Sequence, residues 1–87
     1  MQELTKKDIL EQVTSMLVTS FELDPGTVLP TSRLIDDLDL DSIDAIDIAV
    51  EIEQKLGIDV AEDELRAIRL VQDIVDLIYR RLRDRPQ

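Results

Sequence analysis

An all-α fold is predicted for this 87-residue chain: a small four-helix bundle, three main helices plus one short helix, with a long first loop. Three observations predict it. Apolar residues recur at three- and four-residue spacing in three separate stretches, as in helices with one buried face. Helix start and stop signals bracket those stretches. The hydrophobic fraction is 44% with Phe21 and Tyr79 the only aromatics, so the core is aliphatic. A chain of this length makes one domain, taken as 1–87, with a modest core and little room for a buried catalytic cleft.

Thr5 and Asp8 resemble a capping box, with Asp in place of the usual Glu. Ile9, Leu10, Val13, Met16, Leu17 and Ser20 then share a face, giving a first helix over residues 5–20. Asp24-Pro25-Gly26 marks a turn, and Pro30 with Thr31-Ser32 keeps the next stretch irregular. The connection over 21–40 is long for so small a domain, which points to a functional or self-packed loop. Phe21, Leu23, Val28, Leu29, Leu34, Ile35 and Leu38 are expected to pin it to the core. A second helix runs over 41–56, with Asp41 or Ser42 as N-cap and Gly57 where a C-terminal glycine belongs. Ile58-Asp59-Val60 is too short and isolated to make a sheet, and Glu62 to Ala67 forms a short helical turn. Val71, Ile74, Val75, Ile78 and Leu82 define a last helix over 70–83, whose terminal arginines suit the negative end of its dipole. Residues 84–87 are expected to be a frayed tail.

Composition excludes several functions. The formal net charge is −10, which argues against nucleic acid and against an anionic membrane surface. Two aromatics offer no stacking platform for single strands. With no Cys and no His there is no disulfide framework, no thiolate metal site and no conventional activated nucleophile. The start Met1-Gln2-Glu3-Leu4 carries no apolar signal region and no run approaches a membrane span, so the expected location is the cytoplasm, without membrane insertion. Asp37-Leu38-Asp39-Leu40-Asp41 has the 1, 3, 5 spacing of a calcium loop, but Ser42 stands where that loop needs Gly and Ile48 where it needs Glu. No glycine-rich phosphate loop exists, and the carboxylates lack a cleft to desolvate them, so no residues support an enzyme.

The second helix carries the functional signal. With residues about 100° apart, Ala45, Ile48, Ala49, Ile52 and Leu56 form the core face. Asp44, Asp47 and Glu51 lie on another side. Between them runs a second apolar stripe of Ile43, Ile46 and Val50, which is either deeper burial or a contact surface. Residues 34–54 hold eight acids and no base. The helix dipole accounts for Asp41 and Asp44, each worth roughly 0.3–1 kcal/mol. It does not account for the rest, whose mutual repulsion a partner with Lys and Arg would relieve.

Ser42 sits alone among these carboxylates, as a cap or as a point of attachment. Asp41-Ser42-Ile43-Asp44 at the head of an acidic helix resembles the Asp-Ser-Leu attachment motif of acyl carrier proteins. The likeness extends over nearly the whole chain. It takes in Leu34-Ile35-Asp36-Asp37-Leu38, Ala45-Ile46-Asp47, Glu53-Gln54-Lys55-Leu56-Gly57-Ile58 and Val71-Gln72-Asp73-Ile74.

This resemblance implies a discrete, monomeric, non-catalytic carrier. It implies 4′-phosphopantetheine transferred from coenzyme A to Ser42 by a phosphopantetheinyl transferase, with Asp41 helping to place the site. Acyl groups then ride as thioesters on the arm. Asp44, Asp47, Glu51, Ile43, Ile46 and Val50 match the surface read by partner enzymes with basic docking patches, such as ketosynthases and acyltransferases or ligases. Ile48, Ala49 and Ile52 match positions where such bundles open around an acyl chain. Two residues depart from the commonest pattern: Asp39 stands where housekeeping fatty-acid carriers have Gly, and Ile43 where they have Leu. The run Leu-Asp-Ser-Ile-Asp-Ala is more similar to carriers of dedicated type II pathways, such as those making aryl polyenes, within fatty acid or polyketide-type biosynthesis. The alternatives are an aminoacyl or peptidyl carrier, and an acidic adaptor without a prosthetic group in which Ser42 is only a cap.

Overall fold

Thr5 starts the first helix through the predicted reciprocal cap. In a computed structural model that describes residues 5–84, the Asp8 N–H donates to the Thr5 hydroxyl at 3.2 Å and the Thr5 N–H donates to the Asp8 carboxylate at 3.1 Å. The start at 1–4 and the expected tail beyond Asp84 lie outside the described residues. Helix α1 (Lys6–Phe21) ends at Glu22, which takes the left-handed conformation at φ 54° although it is not glycine. Helices α2 (Ser42–Leu56), α3 (Glu62–Ala67) and α4 (Val71–Arg83) follow, so the predicted all-α bundle with one short helix is what forms. Among the described residues there is no strand beyond an isolated antiparallel bridge between Arg33 and Leu70. No described helix is long and apolar enough to cross a membrane.

The core is aliphatic, as composition requires. Leu17, Val71, Ile74 and Ile78 are wholly inaccessible, and Ile9, Val13, Ile48 and Ile52 close around them. Each such side chain contributes roughly 1.5–3 kcal/mol by leaving water. Helices α1 and α4 are the most extensively packed pair. Their outer ends are tied by Lys6, whose Nζ lies 3.1 Å from Asp76 and 5.2 Å from the centre of the Tyr79 ring. Burial pushes the Asp76 carboxyl up, but hydrogen bonds from Gln72 and Lys6 and the charges of Lys6 and Arg80 outweigh it and hold it below its usual range.

The first connection is self-packed, and Ser32 is its internal knot. This buried hydroxyl donates to the Thr27 carbonyl at 2.6 Å and accepts from the Leu29 N–H at 2.9 Å. Asp24 accepts from the Gly26 N–H and starts a 3₁₀ turn at Pro25–Thr27, where a simple turn was predicted. Backbone bonds then stitch the loop to the start of α4: Leu34 N–H to Arg69 C=O at 2.9 Å, Val71 N–H to Ser32 C=O at 3.0 Å, and Gln72 N–H to Pro30 C=O at 2.9 Å.

Three side chains depart from the expected core. Leu29 opens a turn closed by the Ser32 N–H and remains 52% exposed. Ile35 lies in a tight turn over 34–38, in which the Asp37 and Leu38 N–H groups both donate to the Arg33 C=O, and its side chain stands 68% exposed. Ser20 lies on the surface of α1, because its hydroxyl is drawn to Glu51 on α2.

Candidate functional site at the start of α2

Asp41, not Ser42, is the N-cap. The Asp44 N–H donates to Asp41 Oδ1 at 2.9 Å, and the Asp41 N–H donates to Asp44 Oδ2 at 3.0 Å, a full capping box made of two aspartates. Gly57 closes the helix in the left-handed conformation at φ 67°. Ser42 is therefore the first helical residue. It is exposed, and among the described residues no hydrogen bond engages its hydroxyl.

Asp39 adopts φ 58°, the region that glycine enters freely and other residues enter at about 1–2 kcal/mol. The chain must double back here so that Leu38 and Leu40 are both buried and the Leu40 N–H meets the Leu34 C=O at 2.9 Å. Replacing Asp39 with glycine is expected to raise stability by about 0.5–1 kcal/mol, and replacing it with valine to lower it by about 2 kcal/mol, because a β-branched residue fits this conformation worst. Urea unfolding of both variants checks the sign of each change.

The eight acids of this region divide by role. Asp37 accepts from the Arg33 N–H at 2.7 Å, Glu53 from the Val60 N–H at 3.2 Å, and Asp41 and Asp44 from each other's amides. Asp36 lies 3.3 Å from Arg33. The Glu51 carboxylate accepts the Ser20 hydroxyl at 2.6 Å and lies 3.9 Å from Lys55, so it also ties α2 to α1. Asp39 and Asp47 are exposed without a bond to another described side chain. The second stripe is open: Ile43, Ile46 and Val50 are 70%, 53% and 42% exposed.

Beside it lies a groove of about 750 Å³ between α2, α3 and the loop. Its apolar lining includes Ile35, Ile46, Val50, Leu65 and Ile68, and both Asp41 and Ser42 contribute to its wall. Hydrophobicity alone places Ile35 in the core; its outward position follows from the turn over 34–38, which has no signal in its apolar side chains. The roles of Glu62 and Arg66, which pair at 2.7 Å on the α3 wall, had no sequence signal, since their spacing is that of any helical ion pair.

A small bundle that presents a free hydroxyl at a helix start, with no catalytic group around it, has the architecture of a carrier domain. The family of the phosphopantetheine attachment site matches residues 11–78. Acyl carrier protein 2 of Ralstonia nicotianae is 35% identical over 86% of this chain and 93% of its own length. The acyl carrier protein of Tropheryma whipplei is 36% identical over 86% of this chain and 92% of its own. The meromycolate extension acyl carrier protein of Mycobacterium tuberculosis is 27% identical over 97% of this chain and 73% of its own. The chain belongs to the acyl carrier protein family, whose members are carriers rather than catalysts and whose prosthetic group is 4′-phosphopantetheine.

Proposed function

We propose that Ser42 carries the phosphopantetheine arm and that the whole chain, 1–87, is one acyl-carrier domain, a cytoplasmic monomer. The observation that carries this reading is the division of labour at the start of α2. Asp41 caps the helix, so the Ser42 hydroxyl has no structural duty and stands exposed at the first position. The first amides of a helix favour a neighbouring anion, which suits a phosphodiester at this residue. The arm supplies a thiol that this cysteine-free chain lacks.

A phosphopantetheinyl transferase supplies the catalysis: the Ser42 oxygen bonds to phosphorus as 3′,5′-adenosine bisphosphate leaves. Asp41 keeps the serine at the helix start. Asp44, Asp47, Glu51 and the stripe Ile43, Ile46 and Val50 face ketosynthases and acyltransferases or ligases with basic docking patches. Of the acids, Asp47 is the most open to such a partner, because Asp44 and Glu51 also serve internal bonds. The cargo is an acyl intermediate of fatty acid or polyketide-type biosynthesis, in a dedicated pathway such as that of the aryl polyenes.

Incubation with coenzyme A and a transferase should raise the intact mass by one phosphopantetheine. Ser42→Ala should abolish the gain while shifting stability by less than about 0.5 kcal/mol, as for a surface residue that is not the cap. A wild-type chain left unmodified by several transferases overturns the assignment. A loss of about 1 kcal/mol or more in Ser42→Ala returns Ser42 to the role of a cap.

A further inference from the structure

Helix α3 forms one wall of the groove but is weakly anchored. None of its residues is buried, in contrast to the other three helices. Six residues are too few to hold a helix by propensity alone. Ile58, Val60 and Ile68 on either side of it pack on the core, and within the helix a few polar bonds set its position, of which one carboxylate supplies two. Glu64 Oε1 accepts from the Ala61 N–H at 3.1 Å, satisfying the first turn of α3. The same oxygen meets the guanidinium of Arg81, 17 residues further on in α4. Among the described residues this is the only hydrogen bond or ion pair between side chains that joins α3 to another helix. The other ion pair of α3, Arg66 with Glu62, stays within the helix and is largely exposed.

We propose that the Glu64–Arg81 pair is a latch that fixes α3 against α4 and thereby sets how firmly the groove beside Ser42 closes over a bound chain. The functional half rests on the reading of Ser42 as the attachment site. Neither Glu64 nor Arg81 lines the groove, to which α3 contributes Glu62, Leu65 and Arg66; Glu64 borders a second, more open depression with Ile68 and Arg80. Glu64 and Arg81 act on cargo only through the placement of the helix and are positioning residues. Because one oxygen serves both bonds, formation of the helix and its attachment to α4 are coupled. Releasing the pair frees a wall of the groove while leaving the α1, α2 and α4 core, and Ser42 itself, untouched.

The test uses Glu64→Gln and Arg81→Gln. A Gln at 64 keeps a carbonyl for the Ala61 amide, so the helix cap survives and only the charge pair is lost. Hydrogen exchange on the unloaded protein reads the latch directly. In both variants the amides of Leu65 and Ile68 should exchange about fivefold faster, with those of α1 and α4 unchanged. Unchanged exchange in α3, or equal acceleration in all helices, overturns the latch. Proteins loaded with acetyl or octanoyl groups, verified by intact mass, then read its consequence. Hydroxylamine attacks the thioester carbonyl and releases a hydroxamate and the free thiol. The octanoyl variants should be cleaved about fivefold faster than octanoyl wild type, with no change for acetyl. Equal rates for variant and wild type in the octanoyl series overturn the control of cargo, even if exchange supports the latch. Failure of wild type to gain mass is the separate failure of the Ser42 assignment, and the exchange result stands apart from it.

Discussion

Truncating Ile74 to alanine is expected to cost about 2–5 kcal/mol, the range for removing a large aliphatic from a filled core. Ile74 is wholly inaccessible and sits on α4 among Ile48, Ile52, Val71 and Ile78. The only two aromatic rings, Phe21 and Tyr79, pack at the edge of this core and neither is fully buried. Small domains have only about 5–15 kcal/mol of total stability, and the lower end suits 87 residues, so this loss is a large share of the whole. Ile74→Val removes one methyl and should cost about 0.5–1.5 kcal/mol. Urea unfolding followed by circular dichroism measures both. A steep fall in the midpoint at constant slope is the expected pattern for Ile74→Ala. A loss under 1 kcal/mol would mean that the site collapses around the gap and that the core is less tightly filled than its inaccessibility implies.

Replacing Ser32 with valine is expected to cost about 2–4 kcal/mol, large for a residue in a loop. The valine would strand the Leu29 N–H and the Thr27 carbonyl, which Ser32 now satisfies at 2.9 and 2.6 Å, and each stranded group costs about 1–3 kcal/mol when water cannot reach it. Ser32→Thr keeps the hydroxyl and should recover most of the loss. The Ser32 carbonyl also accepts from the Val71 N–H at 3.0 Å, so distortion at Ser32 reaches the start of α4. Faster exchange at the Val71 and Gln72 amides in Ser32→Val, reversed in Ser32→Thr, would show the loop and α4 acting as one unit. A valine variant as stable as wild type would mean that water replaces the hydroxyl.

The helices were legible in the sequence because their signals are local and redundant. Thr5 and Asp8, Asp41 and Gly57, and the apolar spacing of Val71 to Leu82 each agree with their neighbours. The loop was legible only as a loop. Its apolar residues look alike in sequence, yet Leu34 and Leu38 are buried while Leu29 and Ile35 are not, and the choice is made by backbone bonds to residues 69–72 far along the chain. In the sequence, the helix dipole accounts only for Asp41 and Asp44 and leaves the other acids without a counter-charge. In the folded chain Asp37, Asp41, Asp44 and Glu53 accept backbone amides, and Arg33, just outside the cluster, meets Asp36. The open faces of Ile43, Ile46 and Val50 resolve the question left by periodicity, since depth in the bundle does not account for that stripe.

The stitching of the first loop to α4 by main-chain atoms has a consequence for how such a protein can diversify. Bonds from Leu34, Val71 and Gln72 amides to carbonyl oxygens do not depend on which side chains those residues carry. The outward residues of the loop, Arg33, Ile35 and Asp36, can therefore vary between lineages without displacing the start of α2. If Ser42 is the attachment site, as proposed, surface substitutions in the loop leave the main-chain frame that places it intact.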